Sequence, residues 1–334
     1  MMKVLVTGGA GYVGSHTALA LLRAGHEVCV VDDLRSGYTG AIPAACTFVR
    51  GNVGDSELLS ALLQNSGFDA VFHFAASTSV PESVEHPSLY YENNTAVTLR
   101  LVTASVAAGV PNFIFSSTAA VYGDVVDDFV SESGLLRPIS PYGASKMMAE
   151  RIVSDIASAG NINYLMLRYF NVAGADHSGR FGQRSRDATH LVKVAVEAAA
   201  GRRKFVTIFG DDFDTPDGTG VRDYIHVTDL ADAHVVGLAY LAEGNSGTIF
   251  NCGYGGGYSV REVLASVEKT SGKKINIRVG PRREGDAARV VANCDLITRT
   301  LGWYPKLNDI DEITRSAFMF EVAQPQDDQS RSEV

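Results

Sequence analysis

Short β-branched runs alternate with helix-period stretches through the first half of the chain, the pattern of a parallel sheet covered by helices. The predicted strands are Lys3–Thr7, Glu27–Asp32, Thr47–Val53, Ala70–Ala76, Phe113–Ser117 and Tyr164–Asn171. Lys3-Val-Leu-Val-Thr7 has the continuous apolar character of a strand buried on both faces. Predicted helices run from the glycine turn after Thr7 to Gly25, near Ser56–Gln64, from about Pro87 to Ala108 where Gly109 ends it, and from Pro141 to Gly160. After Asn171 the character changes. Residues 172–188 are rich in Gly, Asp, Ser and Arg and read as a long functional loop. Then come a helix (Leu191–Ala200), a strand (Val206–Phe209), a polar loop (Asp211–Gly220), a strand (Tyr224–Val227) and a helix to about Glu243. Beyond it, Thr248–Cys252 reads as a strand, Ser259–Thr270 as a helix and Ile275–Val279 as a strand.

The expected fold class is α/β: a Rossmann-like doubly wound parallel sheet with a smaller mixed α/β C-terminal substrate domain. Residues 1–171 form the first part. Residues 172–322 form the second, interleaved with the first because some later strands return to the main sheet, and residues 323–334 read as a disordered tail.

The turn after the first strand, Gly8-Gly-Ala-Gly-Tyr-Val-Gly14, fits two glycine registers, Gly8/Gly11/Gly14 and Gly9/Gly11/Gly14. In either, one glycine permits the tight turn, one lets backbone N–H groups approach a pyrophosphate, and one lets helix and strand pack closely. The second strand ends in Asp32, an acid placed to bind adenosine ribose hydroxyls and to disfavour a 2′-phosphate, so NAD is expected rather than NADP. Ala70-Val-Phe-His-Phe-Ala-Ala76 ends in small residues that let a ligand lie close to its carboxyl end.

Composition narrows the partners. The 334 residues are 46% hydrophobic and 20% charged, ordinary for a globular chain. A net charge of −9 argues against nucleic acid or an anionic membrane surface. No apolar run approaches a membrane span, and the first strand begins too early for a signal peptide. Cys29, Cys46, Cys252 and Cys294 show no CxxC spacing and read as reduced thiols of a cytoplasmic protein; no HxxxH pair suggests a metal.

Tyr142 and Lys146 fall on one face of a predicted helix whose first turn holds Pro141. A phenol with a pKa near 10 is a poor base at neutral pH, and correcting that takes about 4 kcal/mol of differential interaction. A cleft that gathers a lysine ammonium and a nicotinamide ring can supply it, letting the phenolate remove a hydroxyl proton while NAD takes the geminal hydride.

The segments GGAGYVGSH (8–16), FHFAA (72–76), SSTAAVYG (116–123), PYGASK (141–146), LRYFN (167–171), DGTGVRDYIHV (217–227) and RREGD (282–286) occur in order. Together they resemble the UDP-glucose (UDP-galactose) 4-epimerase family of the extended short-chain dehydrogenase/reductase superfamily, over residues 3–320. The resemblance implies Tyr142 as base, Lys146 as its partner on the NAD ribose, and Thr118 on the sugar 4-hydroxyl. It places Gly8, Gly11, Tyr12, Val13, Gly14, Asp32, Asn52, Val53, Phe74, Ala75, Ala76, Asn93 and Phe170 against NAD. It assigns Asn171, Leu191, Arg222, Arg283, Asp286 and Val290 to the UDP-sugar, while His190 is either a further substrate contact or a helix-start residue. The arginines also make sense unaided, because guanidinium forks bind phosphate oxygens bidentately.

Three positions depart from the family pattern: Asn52 replaces an aspartate, Thr78 a lysine and His190 an asparagine of some members. Nucleotide-sugar dehydratases of similar fold carry Asp-Glu after the threonine, whereas here Ala119-Ala120 follow Thr118. Val290 stands where a bulky tyrosine narrows the pocket for the sugar 2-substituent, so N-acetylated UDP-hexoses are expected substrates; the other reading makes it strand core. The family implies a homodimer built on the 87–108 and 141–159 helices. The alternatives are a 4-epimerase of another nucleotide sugar (UDP-arabinose/xylose or UDP-glucuronate) and a non-catalytic NAD-binding protein.

Overall fold

A computed structural model describes residues 1–64, 66–123, 129–160, 162–184, 188–283 and 286–325. Thirteen strands are assigned in chain order among them: β1 (Lys3–Thr7), β2 (Glu27–Asp32), β3 (Thr47–Arg50), β4 (Ala70–His73), β5 (Asn112–Thr118), β6 (Asn163–Tyr169), β7 (Asn171–Ala173), β8 (Val206–Phe209), β9 (Val221–His226), β10 (Thr248–Cys252), β11 (Gly257–Ser259), β12 (Ile277–Gly280) and β13 (Arg289–Val290). The helices are α1 (Tyr12–Arg23), α2 (Ser56–Leu63), α3 (Val80–Glu85), α4 (Pro87–Tyr90), α5 (Val97–Ala107), α6 (Pro141–Gly160), α7 (Leu191–Ala199), α8 (Val227–Ala242), α9 (Val260–Ser271), α10 (Asp295–Leu301) and α11 (Ile310–Ala323).

The main sheet has seven strands in the order β10-β6-β5-β4-β1-β2-β3. Every neighbouring pair is parallel. The order reverses between β1 and β4, which opens a crevice at their carboxyl ends. Two apolar layers cover the sheet. Val4, Val6, Phe72, Ile114, Leu165 and Leu167 face one way, towards α1 and α8. Leu5, Val71, Phe113, Phe115 and Met166 face the other, towards α5 and α6. The continuous apolar runs of these strands follow from burial on both faces.

The chain changes sheets at Phe170. Where one strand is expected over Tyr164–Asn171, β6 stops at Tyr169 and Asn171 opens β7, which pairs with β9. β9 also pairs with β11 and β13, while β8 and β12 form a separate parallel pair. Helices α7, α9 and α11 close over these strands around Val192, Val196, Ile208, Tyr224, Leu264 and Ile313. The two-residue β13, the three-residue β11 and the helices α3, α10 and α11 are not among the predicted elements; the strands are too short for a detectable alternation. Helix α11 reaches Ala323, the first residue of the expected tail, and residues 326–334 of that tail lie outside the described residues.

The helix expected over 87–108 is interrupted by a wider π turn over Tyr91–Ala96. Such turns occur frequently at functional sites. Here Asn94 points inward: its carboxamide accepts from the Ser77 N–H at 2.8 Å and donates to Ser77 O and Ser145 Oγ, both at 3.0 Å.

An ion pair lies under the carboxyl end of the sheet. Glu150 on α6 and Arg168 on β6 are both buried. Arg168 donates through Nε and Nη2 to the two carboxylate oxygens at 2.8 and 2.6 Å. Ser117 Oγ donates to Glu150 at 2.5 Å, Arg168 Nη1 donates to Tyr122 Oη at 2.9 Å, and Tyr122 donates to Asn251 Oδ1 at 2.6 Å. Replacing Arg168 by Met strands a buried carboxylate, and the expected loss of unfolding free energy is about 3–5 kcal/mol. A fall in the urea midpoint at unchanged slope measures it, and adding Glu150→Gln recovers part of the loss.

Candidate active site

A cavity of about 580 Å³ runs along the carboxyl ends of β1, β4, β5 and β6 and continues under β9 and β13. Its floor at one end is the glycine turn. Gly8 has φ +71°, and a Cβ there would lie 2.5 Å from the Ala75 nitrogen; a Cβ on Gly14 would lie 2.3 Å from Gly8 O. A Cβ on Gly9 would lie 2.7 Å from the Val30 side chain, so the turn is crowded at glycines of both registers, with the positive φ at Gly8. Gly11 caps α1 with no side chain, so no side chain occupies the N–H groups at the start of that helix.

Asp32 closes this end. Its carboxylate accepts from the Ala10 N–H at 3.0 Å and the Leu34 N–H at 2.8 Å, and burial holds its pKa above the ordinary value despite those bonds. Each oxygen retains accepting capacity, and Asp32 lines the cavity. Arg35 donates to Ser77 Oγ at 3.0 Å; with its carboxamide oxygen turned toward them, Asn93 accepts from Arg35 at 2.9 Å and from Ser77. A diphosphate, a ribose diol and a flat base have fitting partners here: uncapped helix N–H groups, the Arg35 guanidinium, the Asp32 carboxylate and the apolar walls of Val31, Val53 and Val97. The residues present thus fit a dinucleotide such as NAD.

The middle of the cavity holds Thr118, at the end of β5, and Tyr142, in the first turn of α6. Thr118 accepts from the Ala120 N–H at 3.2 Å and hydrogen-bonds the Tyr142 phenol, which favours phenolate, but burial outweighs that bond and raises the phenol pKa. Lys146 does not line the cavity. Its Nζ donates to Ser116 O at 2.9 Å and sits 4.8 Å over the Phe115 ring, one layer behind Tyr142. Burial lowers the Lys146 pKa to about 8, against the pull of the Glu150 carboxylate. Within the polypeptide the ammonium donates to a backbone carbonyl and desolvation of the phenol outweighs its bond to Thr118; the expected shift toward phenolate calls for the nicotinamide charge as well.

At the far end, Arg222 and Arg283 share one carboxylate. Asp286 accepts from Arg283 Nε at 2.9 Å and lies 3.9 Å from Arg222 Nη2. Arg222 and Asp286 line the cavity with Asn171, His190 and Val290, whereas Arg283 stands outside it against the Phe209 ring. Leu191 does not line it either and packs into the α7 core. His190 N-caps α7 without a side-chain bond to the helix; its Nδ1 lies 2.8 Å from Gln183 Nε2. Val290 both lines the cavity and packs on Val121, Tyr122 and Ala292, so each of its two readings describes one side of it. Glu284 and Gly285 of the RREGD segment lie outside the described residues.

The cavity also brings together Gly8, Gly11, Tyr12, Val13, Gly14, Asn52, Val53, Phe74, Ala75, Ala76, Asn93 and Phe170. Asn52 accepts from the Gly54 N–H at 2.7 Å and donates to Asp33 at 3.1 Å, and Thr78 lines the wall nearby. Arg35, Tyr38 and Arg184 line it without having been singled out. For the first two a signal was present, because they follow the carboxyl end of β2 where ligands gather. Asp223 was also missed: wholly buried beside Arg222, it accepts from the N–H groups of Tyr254, Gly255 and Ala292 at 2.9, 2.9 and 3.2 Å. Burial pushes its carboxyl up to about 6 against those three bonds.

The profile of the NAD dependent epimerase/dehydratase family matches residues 4–253. A UDP-glucose 4-epimerase of Azospirillum brasilense is 50% identical over 319 residues, 96% of this chain and 92% of that one. Among solved structures, a UDP-glucose-4-epimerase from Stenotrophomonas maltophila with bound NAD and formylated UDP-arabinopyranose superposes with a TM-score of 0.93 at 38% identity, covering 96% of this chain and 98% of that one. A UDP-Glc/GlcNAc 4-epimerase from Campylobacter jejuni superposes with a TM-score of 0.85 at 45% identity, covering 96% and 99%.

The raised phenol pKa is directly measurable. In protein stripped of nucleotide, the phenolate absorbance of the wild type minus that of Tyr142→Phe is expected to appear only above the ordinary tyrosine range. Reconstitution with NAD brings a positive ring beside the phenol and moves that difference to lower pH.

Proposed function

This chain belongs to the NAD dependent epimerase/dehydratase family and, within it, to the UDP-glucose 4-epimerases; from that membership we propose that it interconverts UDP-galactose and UDP-glucose by epimerisation at carbon 4, using tightly held NAD. The observation that carries the reading is one continuous cavity with a dinucleotide-shaped turn at one end, Thr118 and Tyr142 in the middle and Arg222 at the other end.

NAD supplies, when bound, a reversible hydride acceptor. The turn from Gly8 to Gly14, with Asp32, Asn52, Val53, Phe74, Ala75, Ala76, Asn93 and Phe170, holds it. Tyr142 takes the proton of the sugar 4-hydroxyl and returns it when the opposite face of the 4-keto sugar is reduced. Thr118 positions that hydroxyl and donates to the phenol oxygen. Lys146, one turn along α6 from Tyr142, ties that helix to the end of β5 through Ser116 O. Arg222 binds the diphosphate, and Asp286 orients it while bridging to Arg283. Asn171 and His190, the N-cap of α7, complete the nucleotide end, and Leu191 packs behind them. Binding energy then falls on the part of the substrate that does not react, and the hexose is free to present either face.

On this reading residues 1–171 bind NAD and 172–322 mainly bind the nucleotide sugar. The protein works in the cytoplasm, where Cys29, Cys46, Cys252 and Cys294, all free thiols, stay reduced. Among the described residues no helix is long and apolar enough to cross a membrane. A homodimer through α5 and α6 is supported by Leu99 and Met148, apolar residues exposed on those helices.

Protein purified without added cofactor is expected to release NAD on heating and to convert UDP-galactose to UDP-glucose. Tyr142→Phe is expected to retain NAD and to lose about 10²–10⁴-fold in rate, the range of general acid–base catalysis. Bound NAD without conversion would redirect the reading to another nucleotide sugar. The valine at 290 leaves room beside the sugar, so UDP-N-acetylglucosamine is expected to turn over as well. Val290→Tyr should abolish that turnover while sparing UDP-galactose; equal effects on both substrates would show that the position does not select the 2-substituent.

A further inference from the structure

Tyr38 lies in the loop that follows Asp32, and that loop is pinned to the glycine turn. Its Leu34 N–H is held by Asp32 at 2.8 Å, and the Tyr38 N–H donates to Ala10 O at 3.1 Å. Leu34 takes φ +63°, the single non-glycine residue with positive φ among those described, so the bonds to Asp32 and Ala10 hold a backbone that leucine resists. The Tyr38 ring is left 48% exposed at the cavity rim, too open to serve as core. Opposite it, Arg184 emerges from the connection between β7 and α7. Its guanidinium carbon lies 4.4 Å from the Tyr38 ring centre and 5.4 Å from that of Phe320 on α11. Gly182 backs this segment onto Phe320, where a Cβ would lie 2.5 Å from the ring. Arg184 also lines the cavity.

We infer that Arg184 and Tyr38 form a latch that closes the dinucleotide end of the cavity and slows release of bound NAD. The inference rests on the functional reading above. An epimerisation takes up and returns the same hydride, so the cycle never needs cofactor exchange, and loss of the cofactor between the two halves would strand a keto sugar. A planar cation on an aromatic face is a reversible closure of the right strength, and neither partner touches Thr118 or Tyr142.

The test uses NAD-loaded full-length protein. Release is followed by capturing free NAD with an excess of an NAD-consuming enzyme, and the NAD retained per chain is assayed after gel filtration. Arg184→Ala and Tyr38→Ala are each expected to release NAD about three- to thirtyfold faster, the span between an exposed and a desolvated cation–π contact. The double variant should be no faster than the faster single one, and Tyr38→Phe, which keeps the ring, should match the wild type. Wild-type release rates in both alanine variants would overturn the inference. So would fast release from Arg184→Ala with wild-type release from Tyr38→Ala, because the arginine would then act on the cofactor without the ring. A wild-type protein that carries no NAD and binds none on titration would overturn the functional reading and the latch together.

Discussion

The Glu150–Arg168 pair is the contact on which the geometry of the site depends. Two charges are taken out of water there, and such a pair is tolerated only when the remaining hydrogen-bonding capacity is met. Ser117, Tyr122 and the Glu132 carbonyl meet it. Glu150 lies one helical turn beyond Lys146 and two beyond Tyr142, on the inner face of α6. Its bonds to Arg168 and Ser117 therefore fix α6 against β5 and β6. Through Tyr122 and Asn251 the same network reaches β10, the strand that returns to the sheet from the second half of the chain. A purely apolar contact would hold these elements together without setting their register.

Above that floor the cavity separates two electrostatic tasks. At the far end two arginines share Asp286, Arg222 within the cavity at 3.9 Å and Arg283 outside it at 2.9 Å, so one carboxylate balances charge on both sides of the wall. In the middle, a phenol and a lysine are buried together, and burial disfavours the charged form of both. The polypeptide alone keeps Tyr142 neutral. A positive charge brought close to the phenol would act against that burial.

Much of this was legible in the chain. The strand–glycine turn–helix unit, Asp32 and the Tyr142–Lys146 pair are local signals, because each depends on residues adjacent in sequence, while Thr118 came from the family resemblance. The π turn at Tyr91–Ala96 was not legible: its apolar spacing is that of an ordinary helix, and the widened turn is sustained by Asn94 reaching Ser77 and Ser145. Nor was the change of sheet at Phe170, where Tyr164–Asn171 reads as one continuous strand and conceals a switch of pairing partner from β5 to β9. Lys146 could be placed beside Tyr142 from spacing, but not its commitment to Ser116 O.

By itself, then, the sequence determined the main strands and helices in their order and the glycine turn, since periodicity and turn chemistry act over a few residues, while the residues of the nucleotide-sugar end came from the resemblance of their motifs to a family. Only the tertiary structure decided that Arg222 and Arg283 converge on Asp286, that Asp223 braces the strand carrying Arg222, and that Arg184 meets Tyr38 across the cavity. Apart from Arg283–Asp286, three residues apart, these contacts join positions far apart in the chain. Their energies depend on burial and orientation, which are set by the packed fold and by no local pattern.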